Sequence, residues 1–200
     1  MPPDLSTSRS PRHRGGTVIV LAGRRIDPTD NDHPRFPLSR VGPVRDEIRR
    51  VLAAEQVALL VTAAACGADL LALQVAGELG ARRRVVLPAP PARFRINSVI
   101  DRPGDWEAIY DRAIADVAQN GDLVIVDHGR TSADDDYLQT NLDLLDEANR
   151  LAVGLELPLR AVVVWDGRSR GPDDVTAHFL AEARKRAIPV IEILTMGRPS

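Results

Sequence analysis

Six short apolar runs separated by helical stretches constrain the fold of this chain more than any other feature. Most of the runs are continuously apolar rather than alternating, which is typical of strands covered on both faces of a parallel sheet. Between them, apolar residues recur at helical spacing, as at Val44, Ile48 and Val51, at Leu71, Val75 and Leu79, and over residues 138–155. The predicted strands span residues 17–22, 58–62, 84–87, 122–126, 161–165 and 189–193. This alternation predicts an α/β fold, a Rossmann-like three-layer sandwich with a mainly parallel central sheet.

The length and composition suit one domain. A chain of 200 residues with 44% hydrophobic residues can bury most of its apolar surface in a single core. Residues 1–16 are rich in Pro, Ser and Arg and contain no apolar segment, so we expect a disordered tail, no secretory signal and no membrane span. We assign residues 17–195 to the folded domain. The single cysteine, Cys66, fits a reducing compartment, which predicts a cytoplasmic protein.

The charge pattern argues against several partners and cofactors. The formal charge is -2, the pI is about 6.1 and no basic run lies beyond the first fourteen residues, so we do not expect duplex nucleic acid or a membrane as a partner. The acidic residues at 134–136 offer carboxylates to a divalent cation, but a helix start or a solvated surface explains them better. The four histidines show no metal-binding spacing, and the fingerprints of phosphate loops, dinucleotide sites and nucleophile elbows are missing. We therefore expect no metal and no cofactor.

Glycines follow three of the predicted strands. Because parallel strands end at the same edge of a sheet, and ligands bind there, Gly23, Gly67 and Gly167 are predicted to lie at one edge. Each allows close approach of the backbone to a ligand, and the latter two precede helices whose N–H groups attract anions. The alternative is that each glycine merely makes a turn.

Charged residues at the same edge are candidate ligand contacts. Arg24 and Arg25 can supply forked donors to a phosphate or carboxylate, or they are solvated loop arginines. Asp69 either accepts hydrogen bonds from ligand hydroxyls or complements the dipole of the helix that it begins. Asp166 is a candidate contact for a ribose or an amine, and a turn-stabilising hydrogen bond is the competing interpretation.

Several of these segments together resemble a bacterial branch of the SLOG superfamily, which is named for DNA-processing protein A and the Lonely Guy enzymes. The order and spacing of its motifs hold over residues 18–193. The segments that carry the resemblance are residues 21–27, 34–37, 65–71 and 163–167, followed less closely by 87–90, 94–99 and 141–145.

The resemblance implies a Rossmann-like fold and a site for nucleotides or nucleotide-derived signals. Carried over by motif, it places Gly23, Arg24, Gly67, Asp69, Asp166 and Gly167 at the ligand, together with Thr176 from a Thr-Ala-His segment. Arg35, Phe94, Ser98 and Asn141 are further candidates whose motifs are also compatible with a structural role.

The chain departs from the superfamily at a phosphate-binding segment. Lonely Guy enzymes carry a glycine-rich segment that admits the phosphate and a glutamate that assists cleavage of the N-glycosidic bond. Here Asp174 and Val175 stand where two glycines are expected, and no equivalent glutamate is present. A carboxylate at the phosphate's position repels it, so this site either accepts a ligand with less phosphate there, such as one that brings a cation, or has lost binding. Arg24, where histidine is common in this branch, adds positive charge nearby and partly offsets the loss.

Three functions are consistent with these features. The first is a sensor that binds a nucleotide derivative and signals to a partner effector protein or to a second copy in a homodimer. The second is a nucleoside or nucleotide N-glycosidase or ribosyltransferase in which Asp69 or Asp166 is the catalytic carboxylate. The third is a degenerate structural module that acts through protein contacts. The residues favour binding over turnover, so the sensor is the preferred hypothesis.

Overall fold

The computed structural model describes residues 15–126 and 133–197, with side chains from Tyr137 onward in the second range. These residues form an alternating series of strands and helices with a 3-10 turn at Leu38–Arg40. The elements are β1 Thr17–Gly23, α1 Val41–Ala54, β2 Val57–Thr62, α2 Ala68–Glu78, β3 Arg82–Leu87, α3 Pro91–Ser98, α4 Trp106–Gln119, β4 Leu123–Ile125, α5 Ala133–Leu155, β5 Leu159–Trp165, α6 Val175–Lys185 and β6 Val190–Leu194.

The strands form one six-stranded sheet in the order β4-β3-β2-β1-β5-β6, and every neighbouring pair is parallel. The chain winds outward from β1 to β4 on one side and then returns to place β5 against the other side of β1. The order therefore reverses between β1 and β5, and in open parallel sheets a ligand crevice lies at the carboxyl ends of strands at such a point. The predicted α/β class with a parallel sheet is confirmed.

Helices cover both faces of the sheet, which explains the continuously apolar strands. In β1, Ile19 and Leu21 belong to one core, and Val18 and Val20 belong to the other. The first core is shared with helices α1 to α4, and the second with α5 and α6. All four β1 side chains are fully buried. No helix in the described ranges combines the length and the apolar character needed to cross a membrane.

The edges of several predicted elements differ from those in the structure. β3 begins at Arg82 rather than at residue 84, because its polar first residues form ion pairs, Arg82 with Asp122 and Arg83 with Asp116. The long helix spans Ala133–Leu155, so residues 134–136 lie at its start, as predicted. Helices α3 and α4 lie between the third and fourth strands, where no helix was predicted. Residues 1–14 of the predicted tail lie outside the described residues.

Candidate functional site

A cavity of about 650 Å³ opens at the carboxyl ends of β1 and β2. Its walls come from the loop after β1, from α3 and α5, and from the start of α6, which follows β5. The predicted site residues that line it are Gly23, Arg24, Arg25, Asp69 and Thr176, joined by the further candidates Arg35, Phe94, Ser98 and Asn141. Gly67, Asp166 and Gly167 are not among the lining residues. The structure thus brings together most, but not all, of the predicted positions.

Arg24 lies at the centre of a buried ionic network beside this cavity. Its Nε donates to Oδ1 of Asp166 at 3.0 Å, and its two Nη atoms donate to the two carboxylate oxygens of Asp174 at 2.6 and 2.8 Å. One Nη also donates to the carbonyl of Arg168 at 2.7 Å. Arg35 completes the network by donating from Nη1 to Oδ2 of Asp166 at 3.0 Å. Arg24 is 4% exposed, so this bidentate pair is shielded from water.

The hydrogen bonds between Arg24 and Asp174 keep both residues charged. Burial acts to raise the pKa of Asp174. The hydrogen bonds from Arg24 and from the amides of Arg170 and Ala177 outweigh that effect and lower the pKa to about 2. Burial lowers the pKa of Arg24, while Asp174 and then Asp166 raise it by more than that. Both partners in the Arg24–Asp174 pair are therefore ionised at neutral pH. The Arg24 guanidinium, which was predicted to donate to a ligand, donates to Asp166, to Asp174 and to the carbonyl of Arg168.

Asp174 is also the N-cap of α6. Its Oδ1 accepts from the amides of Thr176 and Ala177 at 3.1 and 3.2 Å, and its Oδ2 accepts from the amide of Arg170 at 2.7 Å. An aspartate directly before the first apolar residue of a helical segment, here Val175, is a recognisable N-cap pattern, so this role could have been predicted from the sequence. The amino-terminal end of α6 is occupied by a carboxylate of the protein itself.

Asp69 is a buried carboxyl group on the cavity wall. It is 6% exposed, and its Oδ2 accepts from the amide of Ala65 at 3.3 Å. Its Oδ1 makes no hydrogen bond of standard geometry to the residues that the structure describes, although the Gly23 amide and the Thr62 hydroxyl, itself without a partner there, lie close enough to lower the pKa of the carboxyl. Burial raises the pKa of Asp69 to about 7, against the lowering effects of the amides of Ala65 and Gly23, of Arg25 and of Thr62. Such a carboxyl exchanges a proton near neutral pH, a property common at functional sites.

Arg25 and Arg102 form a second cationic group on the cavity wall. Both approach Asp101, Arg25 through a hydrogen bond from Nη2 and Arg102 through an ion pair of 3.9 Å. The Nε atoms of both arginines are buried and have no hydrogen-bond partner within the described part of the chain. Two guanidinium groups therefore share one carboxylate, which leaves a positive charge beside the cavity. No local pattern in the sequence marks Arg102, because tertiary packing brings it to the site.

Cys66 has no exposed surface and lies next to Arg25. Burial raises the pKa of its thiol, and Arg25 only partly opposes this. A protonated, inaccessible thiol is a poor nucleophile, so Cys66 acts as a core residue.

Phe94 and Leu144 contribute apolar surface to the cavity wall. Polar side chains from α3 and α5 also line it and join α3, α5 and α6. Ser98 and Tyr137 share a hydrogen bond of 2.6 Å, which joins α3 to α5. Asn141 donates to the carbonyl of Val175 at 2.7 Å and so fixes the start of α6 against α5. Tyr137 was not a predicted site residue. This combination of a planar apolar surface and convergent polar groups is typical of small-molecule pockets.

Gly23 and Gly67 serve close packing between elements. A Cβ atom at Gly23 lies 2.4 Å from the Cβ of Ala68 and 2.8 Å from the carbonyl oxygen of Val164. Gly67 has a φ of 95°, and a Cβ there lies 2.8 Å from the carbonyl oxygen of Arg24. Gly167 also has a positive φ, with Leu194 as the nearest neighbour at 3.4 Å. The first two glycines position the loop after β1 against α2, and so shape the cavity indirectly.

Replacing Gly23 with alanine should lower the free energy of unfolding by about 1–3 kcal/mol, because the added methyl group overpacks the junction of β1, α2 and β5. Chemical denaturation measures this difference. Gly42→Ala is the matched control, since a Cβ at Gly42 has no atom within 4 Å. A Gly23→Ala variant as stable as the wild type would contradict the packing interpretation.

The acidic residues at 134–136 lie in the first turn of α5, but their side chains are outside the described residues. The predicted helix start is confirmed, and the cation interpretation of this segment stays a prediction.

Comparisons of this chain with models of known protein families and with curated proteins find no match.

Proposed function

We propose that this protein binds a nucleotide-derived small molecule in the cavity at the carboxyl ends of β1 and β2, and that it acts as a sensor rather than as an enzyme. The observation that carries the proposal is the buried, incompletely bonded carboxyl of Asp69 in a cavity bordered by arginines. Buried polar atoms without partners are costly to maintain, so their presence in a cavity points to a bound molecule that supplies the partner. The resemblance to the SLOG superfamily supports the same ligand class.

The charges around the cavity support an anionic or strongly polar ligand. Five arginines line it: Arg24, Arg25, Arg35, Arg102 and Arg170. Asp166 and Asp174 neutralise two of them, and Asp101 is shared by two others. Arg170 is 53% exposed, with its Nε 3.7 Å from Asp174. Asp27 also lines the cavity, so the five arginines face four carboxylates besides Asp69, which leaves at most one excess positive charge. The planar guanidinium groups suit both phosphate oxygens and the faces of bases.

A thermal-shift screen tests the proposal with mononucleotides, cyclic nucleotides, NAD and ADP-ribose derivatives. A ligand present at about 100 times its Kd stabilises the folded state by about 2.7 kcal/mol, which corresponds to about 5–10 °C in a domain of this size. We expect at least one compound to raise the Tm by this amount and to be recovered intact.

Arginine variants of this protein locate the binding event. Arg102→Ala should weaken binding of an anionic ligand about tenfold to a hundredfold, because a charge-assisted hydrogen bond is lost. Arg184→Ala is the matched control, since Arg184 pairs with Glu192 and is not among the lining residues. Equal loss in both variants, or no loss in either, would place the ligand elsewhere.

The raised pKa of Asp69 favours N-glycosidic cleavage as a second candidate function. A carboxyl that titrates at about 7 can donate a proton to a leaving base at neutral pH. Chromatography of each stabilising compound after incubation distinguishes the two functions. Release of free base, lost in Asp69→Asn, would establish the enzyme, and silence across the panel would favour a module that acts through protein contacts.

A further inference from the structure

We infer that the ligand presents an uncharged group to the amino-terminal end of α6, because the Asp174 carboxylate, held by Arg24, already occupies the place of a phosphate there. This inference rests on the proposed function, since it concerns the ligand of the same cavity. It narrows the ligand to a nucleoside, or to a nucleotide derivative whose phosphates lie away from α6.

The acceptor capacity of Asp174 is fully used. Its two oxygens accept five hydrogen bonds, two from the Nη atoms of Arg24 and one each from the amides of Arg170, Thr176 and Ala177. A carboxylate offers about four lone-pair sites, so none remains free. The same donors, an arginine fork and the first amides of a helix, are the ones that bind a phosphate oxyanion in other sites.

The donor side of the pair is nearly used up, since four of the five N–H groups of Arg24 are bonded. Arg24 donates to Asp166, to both oxygens of Asp174 and to the carbonyl of Arg168. An incoming phosphate finds little donor capacity there and meets a fixed negative charge that has no exposed surface. Because Val175 and Thr176 line the cavity, this end of α6 still faces the ligand. A hydroxyl, an amino group or a base edge avoids the repulsion that a phosphate encounters.

Asp69 provides independent support on the same cavity. It is more than nine-tenths buried, and its Oδ1 lacks a partner among the described residues. Burial raises the pKa of Asp69 to about 7, so the carboxyl is present in both protonation states near neutral pH. A ribose hydroxyl can donate to the ionised form and accept from the protonated form, whereas a phosphate dianion is repelled by the ionised form. Asp69 and Asp174 therefore favour the same uncharged chemistry.

Inorganic phosphate is the probe that tests the inference, measured by isothermal titration at constant ionic strength. Asp174→Ser keeps a capping oxygen but removes the charge and creates room, and Asp174→Gly frees the helix amides as well. We expect either variant to bind phosphate about tenfold to a hundredfold more tightly than the wild type, as one or two charge-assisted hydrogen bonds form. Adding Arg24→Met to the same variant should abolish the gain, which would locate the bound ion.

Phosphate binding to the two Asp174 variants decides whether the carboxylate occupies a phosphate's position. No gain in Asp174→Ser or Asp174→Gly, or wild-type binding as tight as theirs, would overturn the inference. If one of the two variants does not fold, phosphate binding is measured on the other, and phosphate should raise the Tm of that variant. The test does not require the natural ligand, so a gain in phosphate binding together with a silent nucleotide screen would uphold the role of Asp174 while contradicting the proposed function.

Discussion

Replacing Arg24 with methionine should lower the free energy of unfolding at pH 7 by about 3–5 kcal/mol, the usual cost of removing one partner from a buried ion pair. Methionine keeps most of the side-chain volume, so the loss reports the charge rather than a cavity. Asp166 and Asp174 would remain buried, at 8% and 0% side-chain exposure, with Arg35 as the remaining neighbour of Asp166. Urea denaturation of the variant and the wild type measures the difference.

The pH dependence of that loss identifies its cause. In the wild type, the pKa of Asp174 is lowered to about 2, so the pair contributes stability above about pH 4 that is lost as the pH falls toward 2. The gap between Arg24→Met and the wild type should therefore narrow over the same range. Adding Asp174→Asn to Arg24→Met should recover part of the loss, because it removes the uncompensated charge. An Arg24→Met variant within about 1 kcal/mol of the wild type would contradict a buried, tightly coupled pair.

The contact between Arg24 and Asp174 could not be predicted from the sequence. Both residues were singled out, Arg24 as a donor to a ligand and Asp174 as a carboxylate in a phosphate's position, and a partial compensation of charge was expected. Their direct contact joins residues 150 positions apart, and no local pattern encodes such a distance. The N-cap pattern of Asp174 directly before Val175 is visible in the sequence, and it predicts a carboxylate at the amino-terminal end of the helix.

The strands were easier to predict than the helices between β3 and β4. A strand covered on both faces must be apolar throughout, so its composition alone identifies it. Helix α3 begins at Pro91, has charged residues and buries only Phe94 and Ser98, so its pattern is weak. Helix α4 does carry a readable spacing in Trp106, Tyr110, Ala113 and Val117, all of which are buried. The cavity depends on residues from both kinds of segment, which is why its outline was predicted only in part.

Replacing Asp69 with asparagine should raise the free energy of unfolding above pH 7, by up to about 4 kcal/mol. The unfolded carboxyl titrates near 3.8, whereas the pKa of the buried group is about 7. Between these values the folded wild type holds a proton that the unfolded chain has released, so wild-type stability falls as the pH rises from about 4 to about 7 and then levels off. Asparagine cannot ionise, so the part of the fall in stability with pH that comes from this position should disappear in the variant. Denaturation midpoints between pH 4 and pH 8 measure both effects.

The comparison with an exposed position makes this result specific. Asp30→Asn changes a residue on the surface of the loop after β1 and should shift stability by less than about 0.5 kcal/mol. An Asp69→Asn variant no more stable than the wild type at pH 8 would mean that Asp69 is satisfied as a carboxylate in the folded state. A stabilised variant that no longer responds to a ligand would separate folding from function at one side chain. Such a carboxyl costs the fold stability, and ligand binding is the physical reason that we propose for its presence.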